Sequence, residues 1–486
     1  MRQKVRRLQY AGIAFLLLFA VLYTKEEITT SGIESSRFGV VQALGEQGGF
    51  HIERTQFASS VDRIERDGHL YSDKPLPLSV LAAAVHGAVH RLTGINFTEN
   101  RMLAIYLVNL ILSGSCSILL FLLMFNQLRR TSRGRLELKW LLALAMCLTT
   151  WLCSYSVVLN NHTPAALAVL GMIVALEKYR RKPTLRAACL AALAAGAAGA
   201  LDIPLGAICG ATVLIGIGLE SAAGSRIKPL LAAAASGGAV VLAVLALNVI
   251  AYGTPVPLYV AGETGNFSIC AWFSPEYWGQ ALFGFRGLFS YQPFLLLVFP
   301  AAWLLRRKLR PAEWCGLGAA LVVTVFYLMF TNEYGGASYG FRYLIPIIPA
   351  LWLVVSRWVL AWKPAVWKTL GVAVLLLWGA VTSLIGAYNP YCVANEGVRT
   401  PPGHFSQEIR SPFLGNLLVM SFERDPEGNM TRRLIDSIGD DEACFRHLYV
   451  SALHMRNPEL VEKLLRSSLA QKPGIPNAAP GAGNRK

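Results

Sequence analysis

Charge is the scarcest ingredient of this 486-residue chain. Only 15% of its residues are Asp, Glu, Lys or Arg, against about 25% in soluble globular domains. With 54% hydrophobic residues and a mean hydropathy of +0.44, this deficit excludes an ordinary water-soluble domain and points to lipid as the main solvent. Metal-binding cysteine chemistry is missing as well. The nine cysteines form no Cys-x-x-Cys pair and no His/Cys cluster at zinc-finger spacing. Six of them, Cys116, Cys147, Cys153, Cys189, Cys209 and Cys315, lie in apolar runs as small hydrophobes. No small-residue cleavage site follows the first apolar stretch, which ends Val-Leu-Tyr-Thr-Lys-Glu-Glu, so the sequence predicts a retained first helix and not a signal peptide.

A membrane-crossing helix needs about 20 mostly apolar residues. Runs near 9–24, 102–125, 139–159, 163–178, 185–201, 203–220, 229–252, 291–305, 312–331, 343–362 and 366–388 meet that pattern. They predict an all-α polytopic protein of about eleven spans. Pro77–Leu92 is helical in pattern but carries His86, His90 and Arg91, and is read as an interfacial helix because the loop charges then alternate. Arg2, Lys4, Arg6 and Arg7 begin the basic set. Arg129, Arg130, Arg133, Arg135 and Lys139 follow, then Lys178, Arg180, Arg181, Lys182 and Arg186, then Arg226 and Lys228. Arg306, Arg307, Lys308 and Arg310 come next, and Arg357, Lys363 and Lys368 complete it. The intervening short loops are nearly free of Lys and Arg. The positive-inside rule makes the basic loops cytoplasmic, the N-terminus inside and the C-terminal tail outside. The same rule reads the formal charge of +16 as topology and not as nucleic-acid binding.

The domain reading follows. Residues 1–390 form a transmembrane domain with long external loops at 25–101 and 253–290. Residues 391–472 form a small external helical tail, with helical patterns at Thr431–Ile438, Asp441–His454 and Glu459–Ala470. Asn457 is the N-cap of the last, and Pro458 its first residue. The terminus 473–486, rich in Pro, Gly, Ala and Asn, reads as disordered. Cys392 and Cys444 are either a disulfide of an oxidising compartment or two unrelated thiols. Trp272, Tyr277, Trp278 and Tyr291 fit an interfacial aromatic belt.

The candidate chemistry lies on the outer side. The first loop holds Glu34-Ser35-Ser36-Arg37-Phe38 and, further on, Asp67-Gly68-His69-Leu70-Tyr71-Ser72-Asp73-Lys74-Pro75. A carboxylate just beyond a span suits general-base work, and basic neighbours suit an anionic leaving group. Taken alone, Glu34 also fits a solvated loop residue and Asp73-Lys74 a salt bridge in a turn. Asn161-His162-Thr163-Pro164 fits either a substrate contact or the cap of the following helix, with Asn161 or Thr163 as N-cap. Asp202 is either a functional carboxylate or a cap. Arg342 is an interface anchor or a phosphate clamp.

The order of these motifs resembles the GT-C superfamily of membrane glycosyltransferases, specifically the protein mannosyltransferase-like and aminoarabinose transferase-like proteins of glycosyltransferase families 39 and 83. Those proteins place an acidic residue three positions before an Arg at the start of the first external loop, here Glu34 and Arg37. A Tyr-x-acidic-Lys-Pro element follows, here Tyr71, Asp73, Lys74 and Pro75. The first acidic residue is often Asp, so Glu34 is a conservative departure. Further matches are Ser154–Ser156 with Asn160–Pro164, then Arg286–Pro293, then Tyr334–Leu344, where relatives often have Pro in place of Phe341. The resemblance spans about 10–390.

It implies a GT-C-like helical bundle in a cytoplasmic membrane of bacterial type, its site facing the periplasm. The implied activity is sugar transfer from a polyprenyl-phosphate donor to a lipid, glycan or protein acceptor, with inversion at the anomeric carbon. Glu34 is the implied general base. Asp73 is a candidate second acid/base, a partner orienting Lys74, or a ligand for a divalent metal. Arg37, Tyr71, Lys74, Asn161, His162, Tyr339 and Arg342 are the implied substrate-binding residues. A transporter or flippase is the alternative reading, and a non-catalytic membrane scaffold the second.

Overall fold

The computed structural model describes residues 2–27, 32–131, 134–220, 227–261, 274–331, 335–336, 338–363, 365–392, 409 and 411–472. The terminus 473–486, Arg133, Arg226, Trp272, Tyr334 and Ala337 lie outside the described residues, as does the middle of the 253–290 loop.

Helix α1 (Arg2–Tyr23) leads into the first loop, which folds as α2 (Gly32–Gln42), a hairpin of β1 (Arg63–Arg66) and β2 (His69–Ser72), and α3 (Leu76–Thr93). The hairpin is antiparallel, with Arg63 opposite Ser72 and Arg66 opposite His69. The bundle continues through α4 (Arg101–Asn109), α5 (Ser115–Thr131), α6 (Leu136–Leu148), α7 (Trp151–Tyr155), α8 (His162–Arg181), α9 (Leu185–Leu201), α10 (Ile203–Glu220) and α11 (Ile227–Tyr252). Short helices α12 (Leu258–Ala261), α13 (Pro275–Phe283) and α14 (Leu288–Tyr291) precede α15 (Val298–Leu305), α16 (Pro311–Phe330), α17 (Ile348–Ala361) and α18 (Val366–Tyr388). The tail contributes α19 (Pro412–Arg424), α20 (Asn429–Ile438), α21 (Asp441–His454) and α22 (Pro458–Arg466).

Seven of the eleven expected segments are helices long and apolar enough to cross a membrane, and an eighth qualifies only as a pair bent by 98° between Tyr291 and Pro293. The other three fall short for physical reasons. Thr149 and Thr150 end α6, each hydroxyl bonding back to a carbonyl four residues earlier, so 139–159 is two helices. The last turn of α8 carries Glu177, Lys178, Arg180 and Arg181. Helix α9 has 17 residues. The helix α3 over 77–92 is outside both sets, and its buried His86 binds Glu46 at 2.8 Å. The aromatic belt is also corrected. Tyr277 and Tyr291 are buried, with hydroxyls on Thr331 Oγ1 and the Phe285 carbonyl.

The basic loops gather at one end. Lys4 pairs with Glu137, and Glu313 with Arg357. Glu177 takes Arg180, Arg181 and Arg310 at 3.0, 2.8 and 2.7 Å. Arg135 donates to the Leu360 and Trp362 carbonyls. The other end collects the first loop, the chain around 155–162, Leu201–Asp202, Tyr339–Tyr343 and Tyr388–Tyr391. There Tyr155 donates to Pro390 O, Phe341 N to Arg286 O, and Asn161 to Leu201 O. The tail packs on this second end: Tyr388 donates to Glu423 at 2.6 Å, and Asn416 to the Ile385 and Asn389 carbonyls. Its helix α19 has no counterpart among the helical patterns of the sequence. Cys392 and Cys444 are not joined to each other: Cys392 lies in the core of the bundle and Cys444 in the tail's own core.

Helices α9 and α10 approach closely because small residues line their contact. A Cβ on Gly206 falls 2.0 Å from the Gly199 Cα, whereas one on Gly210 meets nothing within 4 Å. Gly206→Ala is therefore expected to destabilise the protein by about 1–3 kcal/mol through overpacking. Gly210→Ala is expected to be neutral or slightly stabilising. Thermal unfolding of both variants in detergent checks the contrast.

Candidate active site

The site is built on α2. Glu34 and Arg37 are three residues apart, so both point from one face of the helix. That geometry explains why the first motif needs this spacing. Every residue of α2 except Ile33 is buried. Phe38 packs against Phe57 and Phe97 at ring-centroid distances of 6.0 and 5.9 Å. Ser35 donates to Ser60 Oγ, which donates to Gly32 O, and Ser36 shares a hydrogen bond with Ser72. These contacts tie α2 to the hairpin and hold Arg37 within the field of Asp73. The first-turn position of Glu34 also suits an anion at a helix N-terminus.

Glu34 is fully buried and Arg37 is 2% exposed. Arg37 donates to Pro75 O at 3.4 Å and to Asn161 Oδ1 at 3.3 Å. Burial pushes its guanidinium below the ordinary range; Tyr391 and Asp73 pull it back, and the like charge of Arg342 pushes it down again. An arginine keeps its charge regardless, so two buried cations lie within one another's field. Arg342 begins a short 3-10 turn before α17 and lies with its guanidinium 5.7 Å from the Tyr343 ring centre. A Cβ on Gly335, at φ 97°, would press to 3.0 Å from Arg342 Cγ. The glycine pair of that loop thus makes room for the arginine as well as a turn.

Lys74 is bridged by Asp62 at 2.8 Å and Asp73 at 3.1 Å. Burial raises the Asp73 carboxyl above the usual range, with Lys74 opposing, Asp62 adding and Arg37 opposing. No third carboxylate, imidazole or thiol joins Asp62 and Asp73 in a metal-binding arrangement among the described residues. His162 is buried, its ring edge-on to Tyr343 at 5.9 Å, and feels the charges of both Arg342 and Arg37. Asn161 donates to Leu201 O while accepting from Arg37. The capping side chain is that of Asn160, whose Oδ1 accepts from Thr163 N at 2.8 Å. Asn161 holds the N-cap position, as one of the two sequence readings has it, but its side chain makes no capping bond and accepts from Arg37 instead. Asp202 does cap its helix, accepting from Leu205 N, and also takes the Tyr327 hydroxyl.

Two expected binding residues stand apart from this group. Tyr71 shares a hydrogen bond with His51 Nε2 at 3.0 Å, on the face of β2 opposite Ser72. The Tyr339 hydroxyl donates to the Thr382 carbonyl at 2.7 Å, its ring edge-on to Tyr291. Three residues that no sequence motif singles out join the group. Asp62 holds Lys74. Lys25 lies 5.4 Å from the Tyr388 ring centre; burial lowers its ammonium, opposed by Glu423, Glu34 and Glu26. Tyr391 is buried, its phenol held well above the usual range by desolvation and then by Glu34, and it lies within the fields of Arg342 and Arg37. The one available signal for Tyr391 is its place just past the last outward span.

No family model matches the chain, and no curated protein matches it by sequence. Similar solved structures exist. The crystal structure of ArnT from Cupriavidus metallidurans in the apo state superposes with a TM-score of 0.54 at 14% identity, covering 96% of this chain and 77% of that one. The fold is that of ArnT. The same protein bound to undecaprenyl phosphate matches at 0.51 and 13%, covering 94% and 76%. The arabinosyltransferase EmbB from Mycobacterium smegmatis matches more loosely, at 0.48 and 12%, covering 94% and 41%. The ArnT likeness agrees with the architecture that the GT-C resemblance implies.

Asn160 and Asn161 separate capping from the site. Asn160→Ala is expected to cost about 1 kcal/mol of stability through the lost cap. Asn161→Ala is expected to disturb Arg37 with a smaller loss. Unfolding midpoints of the two variants, measured side by side, check the order.

Proposed function

We propose that the chain is a glycosyltransferase moving a sugar from a polyprenyl-phosphate donor to an acceptor hydroxyl at the outer face of a cytoplasmic membrane. The observation that carries the reading is the burial of Glu34 and Arg37 on one face of α2, with buried Arg342 close enough for its charge to bear on Arg37. Two arginines within one another's field suit a lipid phosphate as their shared anion. The ArnT fold supports the reading, since ArnT is a protein solved with undecaprenyl phosphate bound.

In this reading the basic end of the bundle is cytoplasmic. The donor's prenyl tail stays in the hydrocarbon and its phosphate enters between Arg37 and Arg342. Glu34 accepts the acceptor's hydroxyl proton as that oxygen attacks the anomeric carbon. The bond from that carbon to the phosphate oxygen breaks, and polyprenyl phosphate leaves with the electron pair, its charge held by the two arginines. Displacement from the opposite face inverts the anomeric centre. Asp73 and Asp62 hold Lys74 and steady the loop beside Arg37. His162, Asn161 and Tyr391 line the approach.

Transfer of radiolabelled sugar from a polyprenyl-phosphate donor, by protein in vesicles, tests the reading. Glu34→Gln is expected to lower the rate by about 10²–10⁴-fold while leaving donor binding intact. Full activity in that variant removes Glu34 from the mechanism. Solute flux without covalent transfer points to a transporter or flippase instead.

A further inference from the structure

A second cluster lies on the far side of β2 from Ser36. His51, Glu53 and His69 each offer one ligand atom, the three atoms all within 4.8 Å of one another. His69 Nδ1 is 2.8 Å from Glu53 Oε1, and His51 Nδ1 is 3.9 Å from the same oxygen. The two imidazoles stack at a centroid distance of 3.9 Å and 21° between planes. A single proton satisfies only one of these histidine–carboxylate contacts. A divalent cation satisfies both, and tetrahedral ligands at about 2.0–2.1 Å from zinc are about 3.3 Å from each other, between the two observed separations.

The surroundings are those of a metal site. His51 presents Nε2 to the Tyr71 hydroxyl at 3.0 Å. With Nε2 carrying the proton and donating to Tyr71, the Nδ1 lone pair is left for a cation, which is how outer hydrogen bonds fix a ligand's tautomer. Glu53 uses its other oxygen, Oε2, to accept from Leu70 N. The ligands arise from two chain segments, 51–53 and β2, already joined by Ile52 N donating to Leu70 O at 2.8 Å. The three side chains are 30–45% exposed, so an ion has a path in and water has a fourth position.

We propose that His51, Glu53 and His69 bind a divalent transition-metal ion, zinc by ligand chemistry. The ion clamps the 51–53 segment to β2. The chain leaves β2 at Ser72 directly into Asp73 and Lys74, so the clamp sets the position of that element. The site is independent of the sugar-transfer reading, because its test reads metal and not activity.

The full-length protein in detergent is stripped with chelator, dialysed against zinc, and assayed for bound metal by atomic emission. About one zinc per chain is expected, falling to background in His69→Ala and in Glu53→Gln. Tyr71→Phe is expected to weaken zinc binding by about 10–100-fold. X-ray absorption of the zinc-loaded wild type covers the case of a variant that fails to fold: two imidazole ligands are expected. Zinc content unchanged in the folded variants, no retained zinc in the wild type, or a spectrum without imidazole scattering overturns the proposal.

Discussion

The burial of a guanidinium organises this end of the molecule. Arg37 sits almost wholly out of water on α2, and everything near it reads as a response to that charge. The Pro75 carbonyl and the Asn161 amide receive its hydrogens. Asn161 is available because Asn160 has taken over the cap of α8. Asp73 lies within its field and is itself pinned through Lys74 to Asp62. An uncompensated buried charge costs several kcal/mol, so such an arrangement persists where its environment, or a bound anion, offsets it.

Much of this arrangement is legible in the amino-acid sequence. The hydropathy runs and alternating basic loops predict a two-ended bundle. The ion pairs of Glu177, Glu313 and Glu137 show the basic segments gathered at one end. The spacing of Glu34 and Arg37 carries the face of α2 within it. What is not legible depends on long-range contacts. Lys74 reads in sequence as a substrate contact or as the local partner of Asp73, but Asp62 also reaches it across the hairpin. Tyr339 sits in a run of motif residues, yet its hydroxyl is consumed by a carbonyl of α18. Tyr391 has no local pattern and is recruited only because α18 ends beside Tyr155. The aromatic belt fails in part because an amphipathic ring looks the same in sequence at a lipid interface and in a protein core.

The first loop is more than a cover. Its hairpin has two working faces, one turned through Ser72 toward α2 and one through Tyr71 toward the His51–Glu53–His69 cluster. A residue that pairs with the histidines thus stands next to residues that pair with the site. The tail adds a second constraint: α19 docks on the end of α18 through Asn416, and Glu423 of the same helix reaches Tyr388 and bears on Lys25. Glu423 of the tail and Glu34 of the first loop both bear on Lys25, so tail and loop meet beside the first turn of α2.

The central claim is that the space between Arg37 and Arg342 receives a polyprenyl phosphate. A cryo-electron microscopy map of the protein in lipid nanodiscs with undecaprenyl phosphate tests it most directly. The account expects phosphate density within hydrogen-bonding distance of both guanidinium groups, with the prenyl chain running outward into lipid. Density confined to the basic-loop end, or a site that stays empty at saturating lipid, would contradict it.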